Sequence, residues 1–357
     1  MSTFNVLILG ASYGSLLGTK LALAGHMVNM VCLPDEAELI NTEGARVRLP
    51  VRGLDEPLEI NSQFVQGPLT ATTTDGVDIS AYDLVALAMQ EPQYRSQGVR
   101  ELLDAVATAK IPCMSIMNMP PLPYLARIPN LETGSLSKCY TDPTVWENFD
   151  PALITLCSPD PQAFRPPEEK INMLQVGLPT NFKVARFDSD QHTAILQKIE
   201  ADIEAIRYDF KGRKIELPVK LKVHDSLFVP LAKWSMLLTG NYRCVQENDM
   251  QSIKDAVHSN KDVSQEVYNW VCEVCQSIGA DQNDQVPFEK YAKAAESLLK
   301  PSSAARALLA GVSNIERTDM LVQAIAAMEG MQSDTVDATV AMVDHWLEGN
   351  RKQANNS

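Results

Sequence analysis

A glycine-containing turn near the N-terminus is the first feature whose residue types and spacing could do chemistry. Gly10-Ala11-Ser12-Tyr13-Gly14 follows the apolar run Phe4 to Leu9 and precedes a stretch with helical spacing. Backbone N–H groups at the start of a helix bind phosphate, so this strand, turn and helix predict a dinucleotide site formed by these five residues. The usual fingerprint has a second glycine near the place of Ser12, and the turn here is one residue short.

The same five residues spell G-x-S-x-G, which is also the pattern of a nucleophilic serine on a strand-to-helix turn. A hydrolase of that kind places the serine after several earlier strands, whereas Ser12 follows the first strand. It also needs an acid and a histidine, and no signature supports any of the candidate histidines, His192, His224, His258 and His345. The hydrolase is a minor alternative, beside a Rossmann-like domain that holds a nucleotide only for sensing or structure, or holds none.

The elements that must position this turn alternate between strand and helix. Helical spacing from Ser15 to Ala24 and a second apolar run, Val28 to Leu33, complete a strand–helix–strand unit. Two further apolar runs, Asp83 to Met89 and Ile111 to Met117, are separated by the helical stretch Ser96 to Ala109. This alternation predicts an α/β fold with a doubly wound, Rossmann-type sheet.

The end of the second strand carries the residue that would distinguish the two nicotinamide dinucleotides. An acidic residue there favours a free ribose 2′-hydroxyl, whereas a basic residue suits a 2′-phosphate. Asp35 follows Pro34 at this point and could accept from the ribose, but an acidic residue after a strand also serves as a helix cap. The choice between NAD and NADP therefore stays open.

From about Leu227 the pattern changes to helix alone. Helical spacing recurs in five stretches, Leu227 to Leu238, Asp262 to Ile278, Pro287 to Leu299, Ala304 to Leu309 and Thr318 to Met328. Residues 119–225 contain proline clusters and strand-like pieces, and we assign the remaining sheet to them. We therefore expect a dinucleotide-binding domain at 1–222, an all-helical substrate and dimerisation domain at 223–350 and a flexible tail at 351–357.

Composition argues against several classes of protein. The formal net charge of the 357 residues is −14 and no cluster of Lys or Arg occurs, so we expect no nucleic-acid partner. The apolar runs are shorter than the roughly 20 residues that span a bilayer, and the start lacks a secretion signal, so we expect a cytoplasmic protein without a membrane partner. Cys272 and Cys275 lie in a helical pattern without a second ligand pair, so we expect reduced cysteines and no metal.

Several local segments match one known family. They are the opening from Val6 to Val28, Asn41 to Arg48, the strand and loop from Tyr82 to Gln93, Ser115 to Pro120 and the helical stretch from Leu231 to Asn241. On these segments the chain resembles the ketopantoate reductase family, also called ApbA/PanE. The segments near 125–170 and 208–222 have no counterpart in that family.

The resemblance implies contacts with a nicotinamide cofactor, NADP or NAD. The family has a cofactor-contacting lysine and a nearby glutamine in the loop after the Tyr82 to Met89 strand. Here Gln90 replaces the lysine and Gln93 matches the glutamine. The family's asparagine that contacts substrate and nicotinamide matches Asn118, although Met119 stands where the family has glycine.

The resemblance also implies a catalytic group in the helical domain. Lys233 matches the family's catalytic lysine. The family has asparagines four and eight residues further on, and here Leu237 replaces the first while Asn241 matches the second. Ser303, in Pro301-Ser302-Ser303, is similar to the serine that binds the substrate acid, and Glu316 is similar to a glutamate further along.

Taken together, these matches imply an NAD(P)-dependent oxidoreductase. Hydride transfer to a carbonyl or imine carbon develops negative charge on the heteroatom, which a positioned acid must protonate. The resemblance gives that role to Lys233 as general acid/base, in an interdomain cleft that also includes Asn118, Asn241 and Glu316. Because Leu237 removes one polar contact, we expect a small-molecule substrate other than ketopantoate. A homodimer formed through the helical domain is also expected from the resemblance.

Overall fold

The computed structural model describes residues 3–355, with strands concentrated in the first two thirds of the chain and helices in the rest. The strands are β1 (Asn5–Leu9), β2 (Met27–Val31), β3 (Arg46–Leu49), β4 (Leu58–Asn61), β5 (Leu69–Thr72), β6 (Leu84–Leu87), β7 (Cys113–Ile116), β8 (Ile154–Ser158), β9 (Gln162–Phe164), β10 (Met173–Leu178), β11 (Phe182–Ala185), β12 (Tyr208–Phe210), β13 (Arg213–Ile215) and β14 (Leu221–His224). The helices are α1 (Ala11–Leu23), α2 (Pro34–Glu43), α3 (Val99–Ala109), α4 (Leu122–Leu125), α5 (Asp190–Ala205), α6 (Lys233–Met236), α7 (Ile253–His258), α8 (Lys261–Ser277), α9 (Phe288–Ala295), α10 (Ser303–Leu309), α11 (Thr318–Met328) and α12 (Asp334–Asn355).

The main sheet has the order β14-β11-β8-β7-β6-β1-β2-β5 within residues 3–355. Its neighbouring strands are parallel except for β8 and β11, which are antiparallel. The chain passes from β1 through α1 to β2 on one side and later adds β6 on the other side of β1. Doubly wound sheets bind nucleotides beyond the carboxyl ends of their strands at such a reversal. The predicted Rossmann-type fold class is confirmed.

β1 lies inside this sheet, as its apolar sequence predicts. Val6, Leu7, Ile8 and Leu9 are fully buried, as expected for a parallel strand that is covered on both faces. α1 lies close to this strand at Gly14, where a Cβ would be only 2.6 Å from Ile8 Cγ2. Gly14 therefore performs the close helix-to-strand packing that the third glycine of the usual fingerprint provides.

A second, smaller sheet with the order β4-β3-β10-β9 packs against α1. Its parallel pair, β3 and β10, joins Val47 to Leu174, so it links parts of the chain that are far apart in sequence. β12 and β13 form a separate antiparallel hairpin within 208–222. The sequence analysis missed both features because strands this short carry a weak periodic signal and their pairing is set by distant residues.

The chain divides into two compact units that each contain discontinuous segments. Unit 1 comprises residues up to Met89, Gln93–Tyr124 and Thr144–Asp225, and unit 2 comprises Gln90–Pro92, Leu125–Pro143 and the residues from Ser226 onward. The change near 225 lies close to the expected boundary at 222/223. Gln90–Pro92 lies in unit 2 although we expected it in the first domain, and the same is true of the longer segment Leu125–Pro143. That segment folds as short turns without a periodic pattern that could have assigned it.

Unit 2 is helical, as the sequence predicts. α8 to α11 coincide with four of the predicted stretches, whereas the predicted Leu227 to Leu238 begins with a 3₁₀ turn and continues as α6. α12 was not predicted as a helix, and it extends through 351–355, where we expected a flexible tail. Asn350 Nδ2 donates to Leu308 O at 2.9 Å and Arg351 Nε donates to Ser313 O at 3.0 Å, so side chains fasten this end of the helix. The last two residues of the expected tail lie outside the described residues.

No helix in the part of the chain that the structure describes combines the length and apolar character needed to cross a membrane.

Candidate functional site

The glycine turn places the start of α1 directly after β1. Gly10 has φ 101° and ψ 108°, and its N–H donates to Val31 O at 2.9 Å. A Cβ at this position would lie 2.5 Å from Met89 Cγ and 2.9 Å from Ala88 O. Both the positive φ and this close approach to the chain after β6 exclude a side chain. The turn thus brings the carboxyl ends of β1 and β6 against each other at the switch point of the sheet.

The next residues of the predicted phosphate-binding turn fall into two groups. Ala11 is buried, whereas Ser12 is exposed on the first turn of α1. Tyr13 is directed elsewhere, since its hydroxyl donates to Pro161 O at 2.6 Å and its ring lies 5.8 Å from the Phe182 ring. Burial, with smaller effects from Cys157 and Asp160, raises the Tyr13 pKa well above its usual value, so this hydroxyl remains a donor. The first-turn N–H groups of α1 are therefore the part of this turn suited to a pyrophosphate.

The end of β2 contains an ion pair that the sequence analysis did not predict. Asp35, the candidate ribose contact, is exposed at the second position of α2. Its neighbour Glu36 is buried and forms an ion pair with Arg165, which follows β9. No local signal in the sequence links Glu36 with a residue so distant in the chain, and Arg165 was missed for that reason.

Two further candidates of unit 1 follow neighbouring strands. Asn118 comes two residues after β7 and is half-buried, and Gln93 is exposed in a 3₁₀ turn after β6. β6 and β7 are paired in parallel, so both residues follow carboxyl ends at the same edge of the sheet. Met119, which replaces a family glycine, is fully buried and does not have a positive φ. The backbone after Asn118 therefore does not require glycine.

Lys233, the predicted catalytic group, is the first residue of a short helix. It is half-buried as the first residue of α6, and it follows a 3₁₀ turn at Pro230–Ala232. α6 continues as a π-helical turn over Leu237–Asn241, and such turns are frequent at functional sites. Leu237, which replaces the first family asparagine, is buried in this turn, whereas Asn241 at its end is half-buried.

A glycine and a tyrosine support the π-helical turn. Tyr291 Oη donates to Met236 O at 3.0 Å. A Cβ on Gly240 would lie 2.0 Å from this hydroxyl, so only glycine leaves room for the tyrosine to reach the helix backbone. Glycine at position 240 is thus explained by a side chain on α9.

Ser302 connects the end of this turn with the next candidate. Its hydroxyl donates to Asn241 O at 2.7 Å and accepts from Ala305 N at 3.1 Å, which caps α10. Ser302 is 2% exposed, whereas Ser303, the predicted substrate contact, is exposed as the first residue of α10. The structure thus places Ser302, the neighbour of Ser303 in the chain, in contact with Asn241 and gives Ser302 a capping role.

Glu316 is hydrogen-bonded to Tyr242, which directly follows the π-helical turn. The Tyr242 hydroxyl donates to Glu316 O at 2.6 Å and accepts from Thr318 N at 3.0 Å. Glu316 is 8% exposed, and its Oε1 accepts from Glu91 N at 3.4 Å. Two hydrogen bonds to one tyrosine hydroxyl therefore hold the backbone from Glu316 to Thr318 against the side chain of Tyr242, the residue that follows Asn241.

Glu91 is a buried carboxylate that the sequence analysis missed. It is 2% exposed, and its two oxygens accept from Thr141 N at 2.9 Å and Thr141 Oγ1 at 2.8 Å. Its neighbour Gln90, which occupies the place of the family lysine, is exposed. The run Gln90-Glu91-Pro92 directly after a buried strand was the available signal, since an acidic residue is unusual there.

The predicted site residues therefore separate into two sets. Unit 1 contains the turn Gly10 to Gly14 together with Asp35, Gln93 and Asn118. Unit 2 contains Gln90, Lys233, Asn241, Ser303 and Glu316. Within unit 2, one hydrogen bond joins Asn241 to Ser302, the neighbour of Ser303, and another joins Tyr242, the neighbour of Asn241, to Glu316. Lys233 lies on the same continuous helix as Asn241.

Comparison with known proteins gives matches at the level of structure. No protein-family model matches the sequence, and no curated protein matches it. A solved structure described as a ketopantoate reductase from Ralstonia solanacearum MolK2 is 15% identical, with a TM-score of 0.65 over 98% of this chain and 99% of that chain. A ternary structure of D-mandelate dehydrogenase with NADH and anilino(oxo)acetate is 12% identical, with a TM-score of 0.63 over 97% of this chain and 99% of that one.

A third match is a dimeric ketopantoate reductase from Staphylococcus aureus, which is 8% identical with a TM-score of 0.56 over 97% of this chain and 99% of that chain. At sequence identities this low, the structural similarity shows a shared fold and nothing more specific. The resemblance inferred from the sequence is confirmed at that level: the chain has the fold of the ketopantoate reductases.

Proposed function

We propose that the chain is a nicotinamide-dependent oxidoreductase that moves a hydride between the cofactor and a carbonyl or alcohol carbon, or an imine carbon, of a small molecule. The observation that carries the proposal is the Gly10 turn. It lies at the switch point between β1 and β6, and α1 begins at the following residue. The fold shared with ketopantoate reductases and D-mandelate dehydrogenase supports the same conclusion.

The residues of unit 1 suit a dinucleotide. The first turn of α1, where Ser12 is exposed, offers backbone N–H groups for the pyrophosphate, and Gly10 brings no side chain to this turn. Gln93 and Asn118 follow the carboxyl ends of the neighbouring strands β6 and β7, where the nicotinamide half lies in doubly wound sheets. When bound, the nicotinamide ring supplies or accepts the hydride. We propose that the first-turn N–H groups, Gln93 and Asn118 hold the cofactor.

The residues of unit 2 suit proton transfer and substrate orientation. Reduction of a carbonyl develops negative charge on oxygen, which a proton from Lys233 Nζ neutralises, and oxidation returns that proton to the lysine. Asn241 and Ser303 offer an amide and a hydroxyl for polar atoms of the substrate. Glu316 would orient Lys233 or a substrate hydroxyl. Because Leu237 is apolar and buried, we propose a substrate that needs one polar contact fewer than ketopantoate does.

The hydrolase alternative has less geometric support. Ser12 is exposed on α1, but His224 is the last residue of β14, five strand positions away from β1 in the sheet order. At about 4.8 Å per strand this is roughly 24 Å, too far for a hydrogen-bonded pair. His26, which lies 3.4 Å from Asp202, follows the opposite end of α1, about 20 Å along a helix of 13 residues. A fluorophosphonate probe that labels Ser12 would reverse this preference.

Titration with NADH and with NADPH, followed by the intrinsic fluorescence of the four tryptophans, tests the proposal. We expect saturable binding of at least one of the two cofactors. The absence of binding by both would refute the proposal. Binding without turnover, in a screen of keto acids, alcohols and imines, would instead favour a sensing protein.

The role of Lys233 needs a separate test. Lys233→Ala should lose turnover by about 100-fold or more, as expected for a removed general acid, while its cofactor affinity stays unchanged. Lys254→Ala provides the matched control, because Lys254 is an exposed lysine on α7 of the same unit. Unchanged turnover in Lys233→Ala would remove this lysine from the mechanism.

We further propose that the protein forms a homodimer through unit 2, as the resemblance implies. The structurally similar ketopantoate reductase from Staphylococcus aureus is described as dimeric, which supports the dimeric state. Light scattering coupled to size-exclusion chromatography should give twice the chain mass of 39.3 kDa. A mass equal to one chain would refute it.

A further inference from the structure

The π-helical turn after Lys233 changes which residues share a face of this helix. Residues eight positions apart in an unbroken α-helix differ by about 80° around its axis, since each residue turns by about 100°. Here the N–H of Tyr242 donates to Leu237 O, five residues back, as in a π turn. One such turn inserts one residue into the helix, so the eighth residue takes the place of the seventh, about 20° away. Asn241 therefore lies nearly on the face of Lys233.

The Asn241 side chain is suited to bind a ligand at this place. It is half-buried, and no residue in the part of the chain that the structure describes forms a hydrogen bond with its amide. Its backbone is fixed, because Ser302 Oγ donates to Asn241 O at 2.7 Å. A side-chain amide offers two N–H donors and a carbonyl acceptor. It can therefore bind a polar atom of a molecule whose reacting group meets Lys233.

Backbone carbonyls in and beside the π turn accept hydrogen bonds from side chains of other elements. Tyr291 Oη on α9 donates to Met236 O at 3.0 Å, directly before the turn. Arg243 Nη1 donates to Thr239 O at 3.3 Å within the turn, and the same nitrogen donates to Ser264 Oγ at 2.8 Å on α8. Tertiary contacts thus maintain the π winding, which is otherwise rare in helices.

Tyr291 makes its contact where α winding changes to π winding. Its ring is buried and stacks on the Tyr268 ring, with 5.6 Å between the ring centroids. Burial raises the pKa of the Tyr291 hydroxyl, so this group remains a donor. Packing therefore fixes the ring, and the hydroxyl fixes the helix backbone at Met236. Loss of the hydroxyl alone would free the start of the turn and leave the ring packing in place.

We propose that Tyr291 is a positioning residue that holds the π turn, so that the Asn241 amide lies on the face of Lys233 and orients the substrate toward the lysine. The inference rests on the proposed function, since it assumes that Lys233 and Asn241 meet a substrate. Tyr291 acts through Asn241 and does not itself contact the substrate. The turn brings Asn241 closer to the face of Lys233 than α winding would, which offsets the polar contact that is lost at Leu237.

A double-mutant cycle on turnover tests this inference in the full chain, with the keto acid, alcohol or imine that gives the highest kcat/KM in the screen described above. Asn241→Ala should lower kcat/KM about tenfold, as expected for one lost hydrogen bond. Tyr291→Phe keeps the ring and removes only the hydroxyl, and it should lower kcat/KM about three- to tenfold. The double variant should match Asn241→Ala within about twofold, because Tyr291 acts through Asn241.

A general structural role of Tyr291 gives a different result. The two effects would then multiply, and the double variant would lose about 30- to 100-fold, which would overturn the inference. The dissociation constant for the cofactor and the pH profile of kcat/KM should stay unchanged in Tyr291→Phe. A crystal structure of this variant should show a displaced Asn241 amide, and an unchanged amide would also overturn the inference.

Tyr268→Phe is the matched control. It removes another buried tyrosine hydroxyl of the same ring stack, one that donates to Val286 O at 2.7 Å, outside the π turn. It should leave kcat/KM within about twofold, whereas a loss equal to that of Tyr291→Phe would count against a specific role of Tyr291.

Failure of this inference can be distinguished from failure of the proposed function. Multiplying effects in an active enzyme would overturn only the role of Tyr291. An unmodified protein that binds neither cofactor, or that turns over none of the compounds in the screen, would overturn the proposed function and this inference together.

Discussion

Gly240 and Tyr291 offer a quantitative test of the helix that carries Lys233. In Gly240→Ala the new Cβ would lie 2.0 Å from Tyr291 Oη and 3.1 Å from Ile253 Cγ2. Tyr291 must move, and its hydrogen bond of 3.0 Å to Met236 O is lost. Overpacking costs ~1–3 kcal/mol and the lost hydrogen bond ~0.5–1.5 kcal/mol, while alanine recovers up to ~1 kcal/mol of helix propensity. We expect a net loss of ~1–3 kcal/mol.

The double variant separates the clash from the hydrogen bond. Tyr291→Phe alone should lose ~1 kcal/mol, since burial raises the pKa of this hydroxyl and keeps it a donor over the usual pH range. In Gly240→Ala/Tyr291→Phe the atom in conflict is absent, and the nearest ring atom would be Cζ at 3.3 Å. The double variant should therefore be less destabilised than the sum of the two single variants, by ~1–2 kcal/mol.

Urea denaturation, with equal slopes required for all four proteins, measures this coupling. Turnover should follow the same order, because the π-helical turn links Lys233 with Asn241. If the two single effects add within ~0.5 kcal/mol, the hydroxyl does not pack over Gly240 and our account of this turn is refuted.

Three further variants test other parts of the structure. Gly10→Ala should destabilise the protein by ~2–5 kcal/mol, because Gly10 has a positive φ and lies close to Met89 and Ala88. Gly53→Ala is the control: Gly53 has a positive φ but open space around it, so only the backbone cost of ~1–2 kcal/mol should remain. Equal urea midpoints for the two variants would contradict this prediction. Burial lowers the pKa of Lys20 to about 7 from 10.5, so between these values the unfolded chain binds a proton that the folded chain does not. The free energy of unfolding should rise with pH there by up to ~1.4 kcal/mol per unit, and Lys20→Met should remove this contribution, so that a parallel curve would count against it. Arg317→Met, which leaves the fully buried Asp319 without its guanidinium, should cost ~3–5 kcal/mol in thermal or urea unfolding; a loss below ~1 kcal/mol would refute the importance of the pair.

The sequence was most informative where the evidence is contiguous. The apolar run before Gly10 and the helical spacing after it predict β1 and α1, and the helical spacing after Leu227 predicts the character of unit 2. These predictions succeed because burial of one element is recorded in the period of its own residues. The identity of Gly10 also follows from a local need, since the turn requires a positive φ.

Other features depend on residues that are distant in the chain. The pairing of β3 with β10, the neutralisation of Glu36 by Arg165 and the contact of Tyr291 with Gly240 each join segments that no local period connects. The same holds for Glu91, whose carboxylate is satisfied by Thr141 in a segment without regular elements. The sequence by itself therefore determined the class of fold and the elements that carry the candidate residues. Only the tertiary structure decided which of these residues have partners, because a side chain's partner is set by the packing of the whole unit and leaves no periodic trace in the sequence.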